Sequence, residues 1–422
     1  MDFAASERTQ ALVERLSAFM RDEVVPAERI YAAQLSGSSD HRQWQQPAAM
    51  ETLKAKARAA GLWNLFLPDA EHGSGLSHMD YAPLAEIMGH SFIAPEAFNC
   101  SAPDSGNMEV LHRYGTPEQR GRWLQPLLAG DIRSAFGMTE PDVASSDATN
   151  MQATATIEGD QVVLNGRKWW TTGAGHPHCR FVIFMGLSDP HAEPHRRHSM
   201  VICPLDAPGV TVERMLPVFH HFDEPSGHGE LSFTNVRLPV ANVILGAGRG
   251  FEIAQGRLGP GRGFEIAQGR LGPGRVHHCM RAIGAAERAL TLLCARARAR
   301  VAFGKPLYEL GGNPDIIANL RMAIEQARLL TLKTAWTLDA HGTKAALSLI
   351  SQIKVAVPAV AQQAADAAIQ IHGGAGLSDD FPLAQLYAYA RVLRLADGPD
   401  EVHRGVIARL EMKAQGTQEP AR

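Results

Sequence analysis

Along these 422 residues the spacing of apolar side chains changes period twice, and this limits the possible folds more than any other feature. Apolar residues at steps of three and four mark one face of a helix, whereas short β-type runs between turn residues mark strands. Leu12, Leu16 and Phe19, then Met50, Leu53, Ala57 and Ala60, keep the helical spacing. Thr116-Pro117-Glu118-Gln119 predicts a helix start, with Thr116 as N-cap, Pro117 in the first turn and Gln119 closing a capping box. From about residue 134 the period shortens. Val162-Val163-Leu164, Phe181-Val182-Ile183-Phe184 and Met200-Val201-Ile202-Cys203 read as strands, with turns at Gly159-Asp160, Asn165-Gly166 and Ala207-Pro208-Gly209. Strands without intervening helices predict a small barrel or sandwich. After about residue 275 helices return. One starts at Asn313-Pro314-Asp315 and carries Ile317, Leu320, Ile324 and Ala327 on one face. Another runs through Leu347, Ile350 and Val357 to Ile369, with a kink expected at Pro358. The chain reads as α+β: a helical domain over 1–133, a β-barrel over 134–247 and a helical bundle over 248–422.

Composition narrows the function. With 45% hydrophobic and 20% charged residues the chain can bury an ample core. A net charge of −3 gives no electrostatic case for nucleic acid. Cys100, Cys179, Cys203, Cys279 and Cys294 are odd in number and form no C-x-x-C pair, which predicts reduced thiols and a cytoplasmic setting. No basic, apolar leader opens the sequence and no run of eighteen apolar residues occurs, so no membrane span is expected.

Two short stretches carry the chemistry. Met138-Thr139-Glu140-Pro141-Asp142-Val143-Ala144-Ser145-Ser146-Asp147 places hydroxyls, small residues and backbone donors in a loop between strand-like runs. Such a loop can approach a pyrophosphate or a polar ring edge. In Asn165-Gly166-Arg167-Lys168-Trp169-Trp170-Thr171-Thr172-Gly173, an extended strand would put Trp170 and Thr172 on one side. An aromatic plane beside a hydroxyl suits a flat heteroaromatic cofactor such as a flavin.

These stretches, followed in order by Phe303-Gly304-Lys305-Pro306-Leu307 and His372-Gly373-Gly374-Ala375-Gly376, resemble the acyl-CoA dehydrogenase family over about residues 10–412. Gly248-Arg249-Gly250-Phe251-Glu252-Ile253 and Ala396-Asp397-Gly398-Pro399-Asp400-Glu401-Val402-His403 look most like the dehydrogenase part of its members 10 and 11. The resemblance implies an N-terminal helical domain, a middle β-barrel and a C-terminal four-helix bundle. It also implies FAD, an acyl-CoA substrate, an electron-transfer flavoprotein as acceptor and a homodimer or homotetramer. Phe136, Met138 and Thr139 would line the flavin ring, Ser145 and Ser146 would meet the pyrophosphate or ribityl chain, and Trp170 and Thr172 would stand near the reactive edge. Arg300 and Phe303 match residues that reach the FAD of a neighbouring subunit, and Gln370, Gly373 and Gly374 match contacts at its adenosine end. An arginine fork gives a pyrophosphate bidentate, charge-assisted bonds, and paired glycines let amides come close. Asp397 stands where the family base, usually a Glu followed by Gly, removes the α-proton of the thioester, with Gly398 and Arg275 beside the substrate. It is one methylene shorter than that base. At the position of the alternative base this chain has Gly274. A flavin oxidase of acyl-CoA or nitroalkane type and a catalytically silent relative stay open beside the dehydrogenase.

Other features read more plainly. His191, His195 and His198 lie in a Pro- and Arg-rich stretch without ligand partners and read as solvated, with no metal expected. His220-His221 and His277-His278 fit an acyl or CoA channel and polar surfaces equally. The glycines of 246–275 lack the dinucleotide-binding spacing. Instead, Gly248 to Pro260 recurs letter for letter as Gly261 to Pro273. At ~100° per residue a helix advanced by this unit gains about three turns plus ~220°, so both flanks cannot stay in phase. The second copy is expected in the native place, with the surplus looped out over about 247–262.

Overall fold

The computed structural model of the protein describes residues 3–193, 196–245 and 271–416. Contacts divide the chain into two compact units, each discontinuous in sequence. One comprises Asp22–Leu76 and Pro95–Leu271, the other Met1–Arg21, Ser77–Ala94 and Gly272–Arg422. The N-terminal helices are thus shared between the units.

The first unit is built on a curled sheet of seven strands: β1 (Arg133–Gly137), β2 (Thr154–Glu158), β3 (Gln161–Thr172), β4 (Cys179–Leu187), β5 (His198–Pro204), β6 (Val210–Met215) and β7 (His228–Pro239). The order is β1-β4-β2-β3-β7-β6, with β5 branching from β4. The expected barrel is this curled sheet; among the described residues β1 pairs only with β4 and β6 only with β7, so its hydrogen-bonded path does not close on itself. Gly159-Asp160 forms the β2–β3 turn, with Glu158 opposite Gln161. Asn165-Gly166 is not a turn. It lies inside β3 at a register shift against β7, where the Asn165 side-chain Oδ1 accepts from the Asn235 backbone amide at 2.8 Å and the ladder resumes beyond it. Val162, Leu164, Val182, Phe184, Val201, Leu231 and Phe233 supply the sheet's core, with Phe184 and Phe233 rings 4.7 Å apart. The capping box at Thr116 forms as expected, each partner accepting from the other's backbone amide.

A buried ion pair fixes the loop after β1. Lys168 on β3 is fully buried, and its ammonium donates to Glu140 Oε1 at 2.7 Å and to the Met138 carbonyl at 2.9 Å. The Glu140 carboxylate also accepts the amides of Gln152 (2.8 Å) and Ala153 (3.0 Å), and the Glu140 amide donates to Ser145 Oγ at 2.9 Å. Both ends of the 138–153 segment therefore hang on one carboxylate. Burial pulls the Lys168 ammonium down to about 8, against the opposing pull of Glu140.

The second unit is helical: Glu7–Phe19, His78–Met88, Leu271–Ala299, Asn313–His372, Leu383–Leu393 and Asp400–Gly416. Leu320, Ile324 and Ala327 face inward as the spacing predicts. The long helix leaves helical geometry at Gly342 (φ 75°, ψ 177°) and not at the expected Pro358, which is buried within helical backbone. Only a glycine adopts that conformation readily, whereas proline keeps a helical φ. Asn313–Leu377 is long and apolar enough to cross a membrane by length and composition alone, and 44% of its most apolar window is buried in the protein. Arg328 ties three helices together through Glu86 at 2.9 Å, Glu287 and Glu325. A Cβ on Gly284 would stand 2.0 Å from the Glu86 carbonyl oxygen, so this crossing admits only glycine. The duplicated segment lies outside the described residues apart from its last three positions, where the helix from Leu271 begins.

Two substitutions test these supports. Gly284→Ala gains about 1 kcal/mol in helix propensity but overpacks the crossing at a cost of about 1–3 kcal/mol, so a lower melting temperature is expected; an unchanged or raised one would show that the helices separate freely. Lys168→Met leaves the Glu140 carboxylate buried without its cation and should cost about 3–5 kcal/mol, read by chemical denaturation. A loss below about 1 kcal/mol would show that the amides of Gln152 and Ala153 hold the loop alone.

Candidate active site

In the sheet unit, Phe136, Met138, Thr139 and Ser145 are half-buried and Ser146 is exposed along the loop that Glu140 staples. The Ser145 hydroxyl is already engaged by the Glu140 amide and the Val143 carbonyl, so only Ser146 keeps its hydroxyl toward solvent. On β3 the ladder shifts register between Lys168 and Thr171, and Trp170 takes φ 50°. The strand is therefore not extended there, contrary to the alternation argument. Trp170 and Thr172 nevertheless converge, because His228 on β7 meets both. Its ring lies 5.6 Å from the Trp170 ring and its Nδ1 is 2.9 Å from Thr172 Oγ1. Asp223 faces the other ring nitrogen, Nε2, at 3.9 Å. Burial lowers the His228 pKa, with Asp223 opposing, so the imidazole is neutral near pH 7. Sequence reasoning missed His228 entirely; its signal is only its register opposite Thr172.

This group fits a flavin. An indole that stays 41% exposed stands beside a hydroxyl, and on the same strand Trp169 Nε1 and Thr171 Oγ1 are buried without a hydrogen-bond partner. The loop before it offers hydroxyls and amides and no anionic side chain except the neutralised Glu140 and the peripheral Asp142 and Asp147.

In the helical unit, Asp397 lies three residues ahead of the final helix, which starts at Asp400, so it is not that helix's N-cap. It takes φ 54° and the following Gly398 φ 97°. The turn is held by its own carbonyls: Arg275 Nη2 donates to the Asp397 oxygen at 2.9 Å, and His403 Nε2 lies 3.2 Å from it. The Lys354 ammonium reaches the Leu393 carbonyl and, at 3.4 Å, that of Gly398. A Cβ on Gly398 would stand 3.1 Å from His403 Nε2, so the ring packs against bare backbone. The Asp397 side chain is 39% exposed, and one carboxylate oxygen lies 3.7 Å from His278 Nε2. Burial first, then Arg281, pulls His278 down to about 4 against the pull of Asp397; burial and Arg275 take His403 down to about 4. Both rings are neutral near pH 7. Arg275, expected at the substrate, is buried; its Nη2 holds the Asp397 carbonyl, while its Nε has no hydrogen-bond partner among the described residues.

The remaining expectations divide. Arg300, Phe303, Gln370, Gly373 and Gly374 are all exposed in the single chain, Phe303 at 97%, and the structure brings none of them to Asp397. Phe303 (φ 51°) and Gly304 (φ 75°) form the tip of a small hairpin. His277 packs edge-on against Tyr81 at 4.5 Å while His278 turns to Asp397. His220 and His221 are exposed. His198 is buried at the start of β5, opposite Leu187, and not solvated; His195 lies outside the described residues. Asp69, His72 and His112 bring possible ligand atoms within 4.8 Å, but Asp69 Oδ1 is engaged by the His72 ring and by the amides of Glu71 and His72.

Comparison with known proteins agrees with this layout. The acyl-CoA dehydrogenase N-terminal, middle and C-terminal domain models match residues 6–131, 135–236 and 261–411, the last beginning at the second copy of the repeat. Acyl-CoA dehydrogenase family member 11 of Rattus norvegicus is 50% identical over all of this chain and 52% of its own length, so the chain spans about half of such relatives. FadE2 of Mycobacterium tuberculosis, named a probable acyl-CoA dehydrogenase, is 52% identical over 98% of each chain. A solved structure from Mycobacterium abscessus, described with the same family name, is 60% identical, covers 98% of this chain and 100% of its own, and superposes with a TM-score of 0.92. The chain belongs to the acyl-CoA dehydrogenase family.

Proposed function

We propose that the protein is a FAD-dependent dehydrogenase that introduces an α,β double bond into acyl-CoA thioesters and passes the electrons to an electron-transfer flavoprotein. The observation that carries this reading is the presentation of Asp397: a partly exposed carboxylate on a turn whose backbone is pinned by buried Arg275, His403 and Lys354. The reaction needs a base held against a weakly acidic α-carbon, and positioning of this kind supplies it. FAD held there would supply the acceptor for the hydride that leaves the β-carbon. Asp397 takes the α-proton onto its carboxylate. Neutral His278, whose Nε2 lies 3.7 Å from that carboxylate, stands beside it without becoming a competing cation. In the sheet unit, Phe136, Met138 and Thr139 would hold the ring, Ser146 and the loop amides the phosphate side, and Trp170 with Thr172 the reactive edge. The exposed Arg300, Phe303, Gln370, Gly373 and Gly374 suit a role toward the cofactor of a second copy in a homodimer or homotetramer.

The test is stopped-flow reduction of the purified holoenzyme by an acyl-CoA series under anaerobic conditions. Asp397→Asn should keep FAD and slow reduction by about 10²–10⁴-fold, the range for a lost general base. Asp397→Glu should keep substantial activity and shift chain-length preference, because the carboxylate reaches one methylene further. Reduction of Asp397→Asn at the wild-type rate would place the base elsewhere. Fast re-oxidation by oxygen without an added acceptor would turn the reading to an oxidase.

A further inference from the structure

Thr172, His228 and Asp223 form a line in the sheet unit that the proton abstraction at Asp397 does not use. Thr172 ends β3, His228 opens β7 directly opposite it, and Asp223 lies in the loop before β7. His228 is neutral and has one donor and one acceptor nitrogen. The negative charge of Asp223, 3.9 Å from Nε2, favours the tautomer with its proton on Nε2. The lone pair on Nδ1 then faces Thr172 Oγ1 at 2.9 Å and can only accept, so the threonine hydroxyl must give its proton to His228. What Thr172 offers to anything else is an oxygen lone pair. The Trp170 ring against the imidazole, 5.6 Å between centroids, limits its rotation.

We propose that His228, oriented by Asp223, is a positioning residue that fixes the Thr172 hydroxyl as a hydrogen-bond acceptor and so biases the bound flavin toward its reduced form. The inference rests on the reading that puts Thr172 at the reactive edge. Oxidised flavin has an acceptor at N5, which gains nothing from a hydroxyl whose proton points away. A hydride arriving with its electron pair makes an N5–H bond, and that N–H is a donor. An acceptor-only Thr172 therefore matches the product of the hydride transfer and mismatches its starting state. Preferential binding of one redox form shifts the equilibrium by the difference in affinity for the two.

The measurement is the midpoint potential of FAD in the purified holoenzyme, by equilibration with a reference dye. His228→Leu frees the Thr172 proton and should lower the potential by about 30 mV, a tenfold loss of preference for the reduced form in a two-electron couple. His228→Asn, which restores an acceptor near the place of Nδ1, should recover most of the shift, whereas a packing role alone would not be rescued by so small a side chain. Thr172→Val should lower the potential, and adding His228→Leu to it should change nothing further, because both act through one hydroxyl. If Thr172→Val shifts the potential and His228→Leu does not, the positioning role fails and the flavin-edge reading stands. If neither moves it while FAD stays bound, Thr172 is not at the reactive edge. If His228→Leu loses FAD, the comparison of His228→Asn and Asp223→Asn with wild type decides: Asp223→Asn must lower the potential and His228→Asn must hold it, and the reverse overturns the proposal.

Discussion

The Lys168–Glu140 pair is the interaction on which the sheet unit's candidate site depends. A charge pair in a fully buried position is weak as a source of net stability, since desolvation offsets most of its attraction. Its value is geometric. One carboxylate collects the ammonium from β3 and two amides from the far end of the loop, while the ammonium also takes the Met138 carbonyl. The loop that leaves β1 is thereby returned to the strand that carries Trp170 and Thr172. A loop of small residues with no such staple would be ordered by backbone contacts alone, and ordering it costs entropy at every residue. Glu140 and Lys168 make that ordering a property of the folded sheet and leave Ser146 exposed on it.

The helical unit solves the same problem with side-chain donors on carbonyls. Asp397 and Gly398 both stand at positive φ, and a non-glycine residue there costs on the order of 1–3 kcal/mol unless its surroundings hold it. Arg275, His403 and Lys354 do so by binding the carbonyl oxygens of the turn, not its carboxylate. An arginine placed directly on the carboxylate would occupy both oxygens with a bidentate pair. Placed on the carbonyl, it fixes the turn and leaves an oxygen of Asp397 toward His278 and the surface. This division explains why Arg275 is buried although its position in the sequence pointed to substrate.

Much of this was legible in the sequence, and the boundary has physical causes. Periodicity is a local signal, so the helical and β segments, the Thr116 capping box and the inward face of Leu320, Ile324 and Ala327 could be read directly. Whether the curled sheet closes is not local: among the described residues β6 and β1 find no further partner, and no short-range pattern carries that. Asn165-Gly166 carries turn chemistry, yet β7 pairs on both sides of it and absorbs it as an irregularity within β3. Pro358 is a helix breaker by composition, but the break fell on Gly342, where the required ψ of 177° is open to glycine. In the two diagnostic stretches the hydroxyls and aromatics drew the eye, while Glu140 and Lys168, present in the same stretches, do the holding. Sequence proximity could not pair them, because they meet only across the loop and the strand. His228 was invisible for the same reason: its partners are set by register.

The two candidate clusters share one construction. In each, the key side chain sits on a non-glycine residue at positive φ: Trp170 at 50° and Asp397 at 54°. In each, a glycine with positive φ follows within three residues, and a buried cation nearby grips a carbonyl: Lys168 that of Met138 in the loop after β1, Arg275 that of Asp397 itself. A regular strand or helix would have turned these side chains along its own period, toward the ladder or the helix face. Departing from the period turns the side chain outward, and the buried cation keeps the departure from relaxing. Each cluster also ends in a neutral histidine, His228 at Thr172 and His278 at Asp397, whose charge burial suppresses. A protonated imidazole at either place could only donate. A neutral one can accept from the hydroxyl in one cluster and, in the other, stand 3.7 Å from the carboxylate without pairing with it as a cation. Burial, by keeping both rings uncharged, is what lets the same side chain serve at both places.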